Sequence, residues 1–548
     1  MGFRIRFLPD NRAVELDEPL ELSLAAARCD IWLEHPCGGT GTCGKCRVRV
    51  SNGEVPPSAD DRLVLPAGEL AAGWRLGCRM LLTGPCEIEV PAQDRAAQPK
   101  SFGPDRLPAA PGEPQIPLRL RPPGGVPYGV AVDLGTTTLA AALVDLRDGR
   151  VLHALSGLNP QARYGADVMS RIQFARARPG GNALLHEAMG EGVAGLIREL
   201  AALAGASAED VLAVTCVGNA TMTHTAVGED VSNLGVAPYL GVFTSEQEVL
   251  APALRWPVNP GARVRFGPMV RSHIGGDTVA GILACDLDQL DGWRVLVDLG
   301  TNAEIVVGGA NRLVVASTAA GPAFDGVNIS CGMRAASGAV DAVVIRPDGH
   351  LSATTIDGAP AIGLCGSGLV DATAELLRAG VIAPPGHMRS AEECRALGVP
   401  DALIDRLVPV APGRRALRID GRVAVTAADV RQLQLAKGSI AAGLALLMRR
   451  IGMDAGSIAE VLVAGTFGTF LRKESLIAIG LLPAVDPERI RFVGNAAGAG
   501  ARLMLADGHA RRRAAETAAR CEYVELAGDP DYEDAFTAAL GFPRSESR

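Results

Sequence analysis

The sequence predicts a multi-domain α/β protein, with a small β-rich unit first and a larger α/β region built from two related halves behind it. Three observations carry that expectation. Residues 1–92 contain FRIRFL, KCRVRV and CEIEV between Gly, Asn and Pro turn signals, the period-2 pattern of half-buried strands. Further on, GVAVDLGTTTLAAALVDL at 129–146 is echoed by RVLVDLGTNAEIVVGG at 294–309, each reading as a buried strand, an Asp-Leu-Gly-Thr turn and a second strand. Between and after these hairpins run helical patterns, notably ALLHEAMGEGVAGLIRELAALAG and the segment from Ala427 to Arg450, which Thr426 and Asp429 open with a capping-box pattern.

The elements divide as 1–92, a linker at 93–127, and 128–548, whose halves meet near residue 290. From Pro91 to Pro127 prolines recur at 91, 99, 104, 108, 111, 114, 117, 122, 123 and 127 with few large apolar groups, so this stretch is expected to be an extended tether. A second echo, VGNATMTH at 217–224 with VGNAAGAG at 493–500, supports the duplication and suggests paired helices crossing at a hinge.

With 548 residues the chain exceeds one ordinary core, and 48% hydrophobic with 4% aromatic residues suits packed α/β layers. The net charge of −8, without a basic patch, argues against nucleic acid as a partner. MGFRIRFLPDNRAVEL lacks the apolar run of a secretory signal, and SIAAGLALLM is well short of the roughly 20 residues a bilayer needs, so a cytoplasmic protein without a membrane partner is expected. Twelve cysteines in that reducing setting point to metal ligands or small core residues rather than disulfides.

CGGTGTCGKC at 37–46 places Cys37, Cys43 and Cys46 in a C-x5-C-x2-C run, with Cys78 in GWRLGCRM as a distant fourth thiol. Three thiolates on one glycine-rich loop and a fourth from elsewhere can enclose two irons, and glycines let backbone N–H groups wrap the sulfurs. Structural zinc usually takes two short-spaced pairs, and here only Cys43 and Cys46 form one. Gly39 to Lys45 nearly spells a phosphate-binding P-loop, but Cys46 stands where Ser or Thr should hold magnesium. A [2Fe–2S] cluster is the favoured reading, and the longer first gap resembles the adrenodoxin-type ferredoxin run. The other eight cysteines, and His224 and His273, read as packing residues.

An Asp ending a buried strand, then Gly and hydroxyl residues, suits a triphosphate site. Gly135 and Gly300 let backbone approach phosphate, Thr136, Thr137, Thr138, Thr301 and Asn302 offer donors, and Asp133 and Asp298 can hold Mg2+ through its waters. Glu304 could orient an attacking water or simply be an outward strand carboxylate, so Asp133, Asp298 and Glu304 are the catalytic candidates. The paired turns resemble the superfamily of actin, sugar kinases and heat-shock chaperones, in which two related domains close on ATP. Within that resemblance VLVAGTFG at 461–468, with Gly465 and Thr466, is similar to the adenosine-binding turn. GLCGSGLVD at 363–371, with Gly366 and Ser367, supplies a further glycine turn toward the nucleotide. Ser330 and Arg334, in the glycine-rich segment 319–340, are candidate partner contacts.

Taken in order, the cysteine loop with Cys78, DLGTTT, NPQARYGADVMSRI at 159–172, VGNATMTH, DLGTNAE, GPAFDGVNISCGMRA, GLCGSGLVD, LQLAKGSIAAG, AGTFG and VGNAAGAGA resemble the reductive activators of corrinoid proteins. The resemblance implies a β-grasp, ferredoxin-like [2Fe–2S] domain, a linker and a duplicated actin-like, ribonuclease-H-like ATPase. It implies an ATP-hydrolysing reductase that passes one electron to inactive Co(II) and regenerates Co(I) for methyl transfer. The implied partners are a corrinoid protein or corrinoid-dependent methyltransferase and an electron donor, and a homodimer is compatible with it. Activators of methylamine systems carry C-terminal [4Fe–4S] motifs, and no cysteine cluster follows Cys521. Two other readings stay open at this stage: an electron carrier whose actin-like region is a nucleotide-binding scaffold, and a kinase-like phosphotransferase with a regulatory cluster.

Overall fold

A computed structural model describes residues 2–29, 31, 33, 41, 44, 46–91, 102, 126–300, 302–309, 311–411, 414–465 and 471–544. The N-terminal unit is a five-stranded mixed sheet in the spatial order Arg12–Leu16, Phe3–Leu8, Cys86–Glu89, Arg47–Asn52, Trp74–Leu76. Phe3–Leu8 lies parallel to Cys86–Glu89, which connects the two ends of the unit at its centre. Alternation puts Ile5, Phe7, Val48 and Ile88 on one face, where the short helix Leu22–Ala27 closes the core with Leu22, Ala25 and Ala26.

The larger region holds two six-stranded sheets with a common plan. In the first, Tyr128–Leu134, Thr138–Asp145 and Arg150–Leu158 form an antiparallel meander, while Val211–Gly218 and then Arg263–Phe266 add in parallel on the other side of Tyr128–Leu134. In the second, Trp293–Leu299, Ala303–Gly309 and Arg312–Thr318 make the meander, and Ile458–Ala464 and then Ile490–Gly494 the parallel pair. Gln247–Leu250 and Cys521–Tyr523 are edge additions peculiar to each sheet. YGVAVDL and WRVLVDL read as almost unbroken apolar runs because both are central strands covered on two faces. Two three-stranded sheets and the helix Ala427–Arg450, with its Thr426–Asp429 capping box, are inserted between the third and fourth strands of the second half.

The matched sheets correct the second sequence echo. VGNATMTH follows Val211–Gly218, the strand beside the centre, whereas VGNAAGAG follows Ile490–Gly494, the outermost of the parallel strands. The counterpart of VGNAAGAG is therefore the helix after Arg263–Phe266, Gly276–Ala284, and these two helices cross. A β-carbon on Gly500 would stand 2.0 Å from the Ala280 carbonyl oxygen, so only glycine permits that approach. Ile282 packs on the second sheet with Leu296, Val306 and Leu462, while Ala501, Met504 and Leu505 pack on the first sheet with Ala131 and Ala140. Each hinge helix thus joins the two halves. The helix Ala220–Val227 instead buries Met222 and Ala226 in the first half's own core, beside Met189 and Val193 of Gly181–Leu203.

The tether expectation also needs amendment at one residue. Phe102 is 2% exposed and clusters with Val279, Ala280, Ala497 and Ala501 where the hinge helices cross. The fully buried Arg502 guanidinium donates to its carbonyl at 3.1 Å and to the Gly149 carbonyl at 2.7 Å. An aromatic ring among alanines found its burial in tertiary structure, where proline spacing gave no sign of it.

Candidate functional site

Of the four candidate cluster cysteines, Cys37 and Cys43 lie outside the described residues. Cys46 and Cys78 are brought together across 32 positions, with their Sγ atoms 3.2 Å apart. Cys46 is 1% exposed and Cys78 partly exposed. The approach is fixed by the Gly77 N–H donating to the Cys46 carbonyl at 2.8 Å, which leaves no room for a side chain on Gly77. Gly41 and Gly44 adopt φ of +77° and +66°, the left-handed region that glycine enters without strain. Arg79, paired with Asp60 at 2.7 Å, flanks this corner. Two thiols converging on one point, with the positive-φ residues Gly41 and Gly44 nearby in sequence, fit an iron–sulfur centre, with Cys46 and Cys78 near enough to serve one iron. Cys29 and Cys86, by contrast, sit in the hydrophobic core of the unit.

The second constellation lies at the strand ends facing the hinge. Asp133 ends the central strand of the first sheet, opposite Ala140 and beside Val217. Asp298 ends that of the second, opposite Glu304 and beside Ala464. The second hairpin has one residue fewer in its turn, so Glu304 occupies the register position of Ala140. Two carboxylates directly opposite each other repel. Burial raises Glu304 well above the carboxylate range, and the charges on Asp277 and Asp298 push the same way; Ser317 Oγ donates to it at 3.2 Å.

Asp277 is the residue that sequence reasoning missed. It stands in the first turn of the hinge helix Gly276–Ala284, and burial pushes its carboxyl up to about 7, with Asp298 and Asp133 adding to the effect. The only signal was the Gly-Gly-Asp run itself, since nothing local says that this turn meets both Asp-Leu-Gly-Thr hairpins. Gly275 must be glycine because its β-carbon would overlap the Gly218 carbonyl, at 2.3 Å. A set of mutually repelling carboxylates is what a hard divalent cation neutralises. Among the described residues no three His, Cys, Asp or Glu side chains converge as direct metal ligands.

The remaining candidates separate. Thr136, Thr137 and Thr138 are partly exposed in the first turn, and Gly300 and Asn302 form the second, with the Gly300 N–H donating to the Asn302 carbonyl; Thr301 lies outside the described residues. Gly465, with φ of +99°, sits against the Leu299 carbonyl and 3.2 Å from Asp298 Oδ1 measured to an added β-carbon, while Thr466 lies outside the described residues. At Gly366 an added β-carbon would lie 2.1 Å from the Phe324 carbonyl oxygen, and Ser367 is 2% exposed with its hydroxyl 3.2 Å from Cys365 Sγ, so close packing accounts for that turn. Ser330 is exposed, its N–H donating to Asp429 at 2.7 Å at the start of the long helix, and Arg334 is partly exposed. His224 is fully buried, with Nδ1 donating to the Ala220 carbonyl and Nε2 accepting from the Val242 N–H, which makes it a packing residue as expected.

Comparisons with known proteins follow the same division. Residues 6–83 match the 2Fe-2S iron-sulfur cluster binding domain, residues 128–290 the RACo middle region, and residues 293–548 the C-terminal domain of RACo, the ASKHA domain. The chain is 33% identical over 422 residues to the corrinoid activation enzyme RamQ of Eubacterium limosum, covering 75% of this chain and 69% of that protein. It is 24% identical over 418 residues to the [Co(II) methylated amine-specific corrinoid protein] reductase of Methanosarcina barkeri, covering 69% and 70%. A solved structure of a reductive activator for corrinoid, iron-sulfur protein superposes with a TM-score of 0.69 at 28% identity, over 99% of both chains. A thiol pair in a ferredoxin-like unit, an acidic hinge between two sheets of one plan, and relatives that span both together lead to one conclusion: the chain belongs to the family of reductive activators of corrinoid proteins.

Proposed function

We propose that this protein uses ATP to reduce the inactive Co(II) state of a corrinoid protein to Co(I), receiving each electron from a separate donor. The observation that carries the reading is the presence, on one chain, of converging thiols at Cys46 and Cys78 and a carboxylate-lined cleft between two sheets of common plan. When bound, the iron–sulfur centre supplies a one-electron carrier, and magnesium nucleotide supplies free energy that a carrier near about −400 mV lacks for this reduction.

The residues divide the work. Cys37, Cys43, Cys46 and Cys78 hold the cluster. The turns at Gly135–Thr138 and Gly300–Asn302 would donate to phosphate oxygens, and Asp133 and Asp298 would hold Mg2+ through its waters. Gly465 and Thr466 border the adenosine side. Asp277, raised by burial and by Asp298 and Asp133, and Glu304, raised by burial and by Asp277 and Asp298, line the acidic end of the cleft, where Glu304 orients the water that attacks the terminal phosphate. Because the hinge helices join both sheets, closure on nucleotide moves the halves as bodies, and differential affinity of the two states for the Co(II) partner converts binding into driving force.

The test is anaerobic: purified protein, a chemical reductant and candidate corrinoid proteins, with and without ATP, monitored for the Co(I) absorption band. ATP-dependent appearance of the band is expected. Cys46→Ser should lose electron transfer and keep nucleotide binding, and Asp298→Ala should do the reverse. Negligible hydrolysis in the presence of every Co(II) protein would favour a scaffold, and a phosphorylated small molecule would favour a kinase.

A further inference from the structure

Arg171 is the bulkiest kind of charge to bury, and it is 0% exposed. Among the described residues it makes no ion pair; Asp167 contributes only a longer-range attraction, and burial pushes the guanidinium down to about 9, still charged at neutral pH. Its donors are spent on backbone and neutral groups: Nε to the Gly165 carbonyl at 2.8 Å, one terminal nitrogen to Gln161 Oε1 at 3.1 Å, and the other to the Thr136 carbonyl at 2.6 Å. Such a cation costs several kcal/mol to desolvate unless something repays it. Its partner at Thr136 lies in the first phosphate turn.

The neighbouring carbonyls of that turn are held in the same manner. Asn159 Nδ2 donates to the Gly135 carbonyl at 2.9 Å, and the Asn159 backbone N–H to the Thr137 carbonyl at 2.8 Å. Asn159 is 0% exposed and its Oδ1 is occupied by the Gln161 N–H, so its orientation is fixed. A trans peptide is planar, with C=O and the following N–H pointing in opposite directions. Fixing the carbonyls of Gly135 and Thr136 from the buried side therefore turns the N–H groups of Thr136 and Thr137 outward, and neither has an acceptor among the described residues. Asn219 Nδ2 donates to Thr136 Oγ1 at 3.0 Å, which leaves the hydroxyl hydrogen free to point the same way, while Asn219 Oδ1 caps the helix Ala220–Val227.

We propose that Asn159, Arg171 and Asn219 are positioning residues that hold the Gly135–Thr138 turn as a preformed anion cradle for the nucleotide phosphates, with the buried guanidinium adding positive potential behind it. This rests on reading that turn as a phosphate site. It gives NPQARYGADVMSRI and VGNATMTH a common purpose, since the first binds the carbonyls of the turn and the second its Thr136 hydroxyl.

Three full-length variants test it by calorimetric titration with Mg-ATP and with adenosine, alongside the KM and kcat of ATP hydrolysis. Arg171→Lys keeps the charge and loses the fork; Asn159→Asp removes the Nδ2 donor; Asn219→Asp keeps the helix cap and makes Thr136 Oγ1 donate inward. Each is expected to raise the dissociation constant and KM for ATP about tenfold, the usual scale for one lost polar contact, with adenosine binding unchanged. A general folding defect would weaken both ligands equally, and Asn219→Asp, which retains its capping oxygen, guards against that outcome. Gly135→Val serves as the control on the underlying reading. If Gly135→Val leaves ATP affinity unaltered, the turn is not the phosphate site. If Gly135→Val abolishes ATP binding while the three positioning variants bind within twofold of wild type, the cradle proposal is overturned and the phosphate site stands.

Discussion

Lys437 shows how a single side chain responds to where the fold puts it. Its ammonium is 1% exposed, donates to the Gly541 carbonyl and lies 5.1 Å over the Phe542 ring, and burial pushes it down to about 8. Below pH 8 the group is charged in both the folded and unfolded chain, and the folded state bears the full cost of burying that charge. Between pH 8 and the ordinary value of 10.5 the unfolded chain holds more protons than the folded one, so stability contributed by this site rises with pH. Thermal melts of wild type and Lys437→Met should therefore show wild type gaining on the variant from pH 8 to pH 10, and a constant difference would contradict the assignment. Sequence reading could single out Asp133, Asp298 and Glu304 as candidates because each stands beside a recognisable turn. It could not name Asp277 or Lys437, whose properties arise from what surrounds them.

Elements repeat this lesson at larger scale. The Asp-Leu-Gly-Thr hairpins and the Thr426–Asp429 capping box were legible because all their parts lie within a few residues of one another. The VGNA echo misled because similar strand-to-helix turns occur at two different positions in the sheet, and only hydrogen-bonded strand order distinguishes them. Gly276–Ala284 proved to be the true partner of Ala496–Ala506, and Gly500 lies against the Ala280 carbonyl at their crossing. Gly500→Ala must push the helices apart at the Ala280 carbonyl. Unfolding in denaturant should show a loss of roughly 1–3 kcal/mol, the range for overpacking, and ATP hydrolysis should fall further than nucleotide affinity because closure is the motion impeded. A variant with wild-type stability and turnover would remove this crossing from the hinge.

For the whole molecule, the question is how a cleft at the hinge communicates with thiols in another domain. Phe102 offers a physical route, for it comes from the chain joining the two and is buried against Ala497 and Ala501 of a hinge helix and Val279 and Ala280 of its partner. Any change in the crossing of these helices is felt by this ring. Phe102→Ala should cost about 3–5 kcal/mol if the cavity does not collapse. It should also lower ATP stimulation of electron transfer more than ATP hydrolysis itself, measured as Co(I) formed per ATP consumed; an unchanged ratio would mean that the anchor is structural only. In addition, no helix among the described residues is long and apolar enough to cross a membrane.

The sequence by itself determined the fold class, the family and the presence of two Asp-Leu-Gly-Thr hairpins, because strand period, glycine turns and cysteine spacing are local patterns that survive without knowledge of the partner surfaces. Tertiary structure alone decided which helices form the hinge, that Phe102 is anchored there, that Asp277 joins the acidic cleft, and that Asn159 and Arg171 stand behind the Gly135–Thr138 turn. Each of these depends on strand order or on a contact between distant segments. Burial, Coulomb repulsion and peptide orientation act through space, and none of them leaves a fixed spacing in the chain.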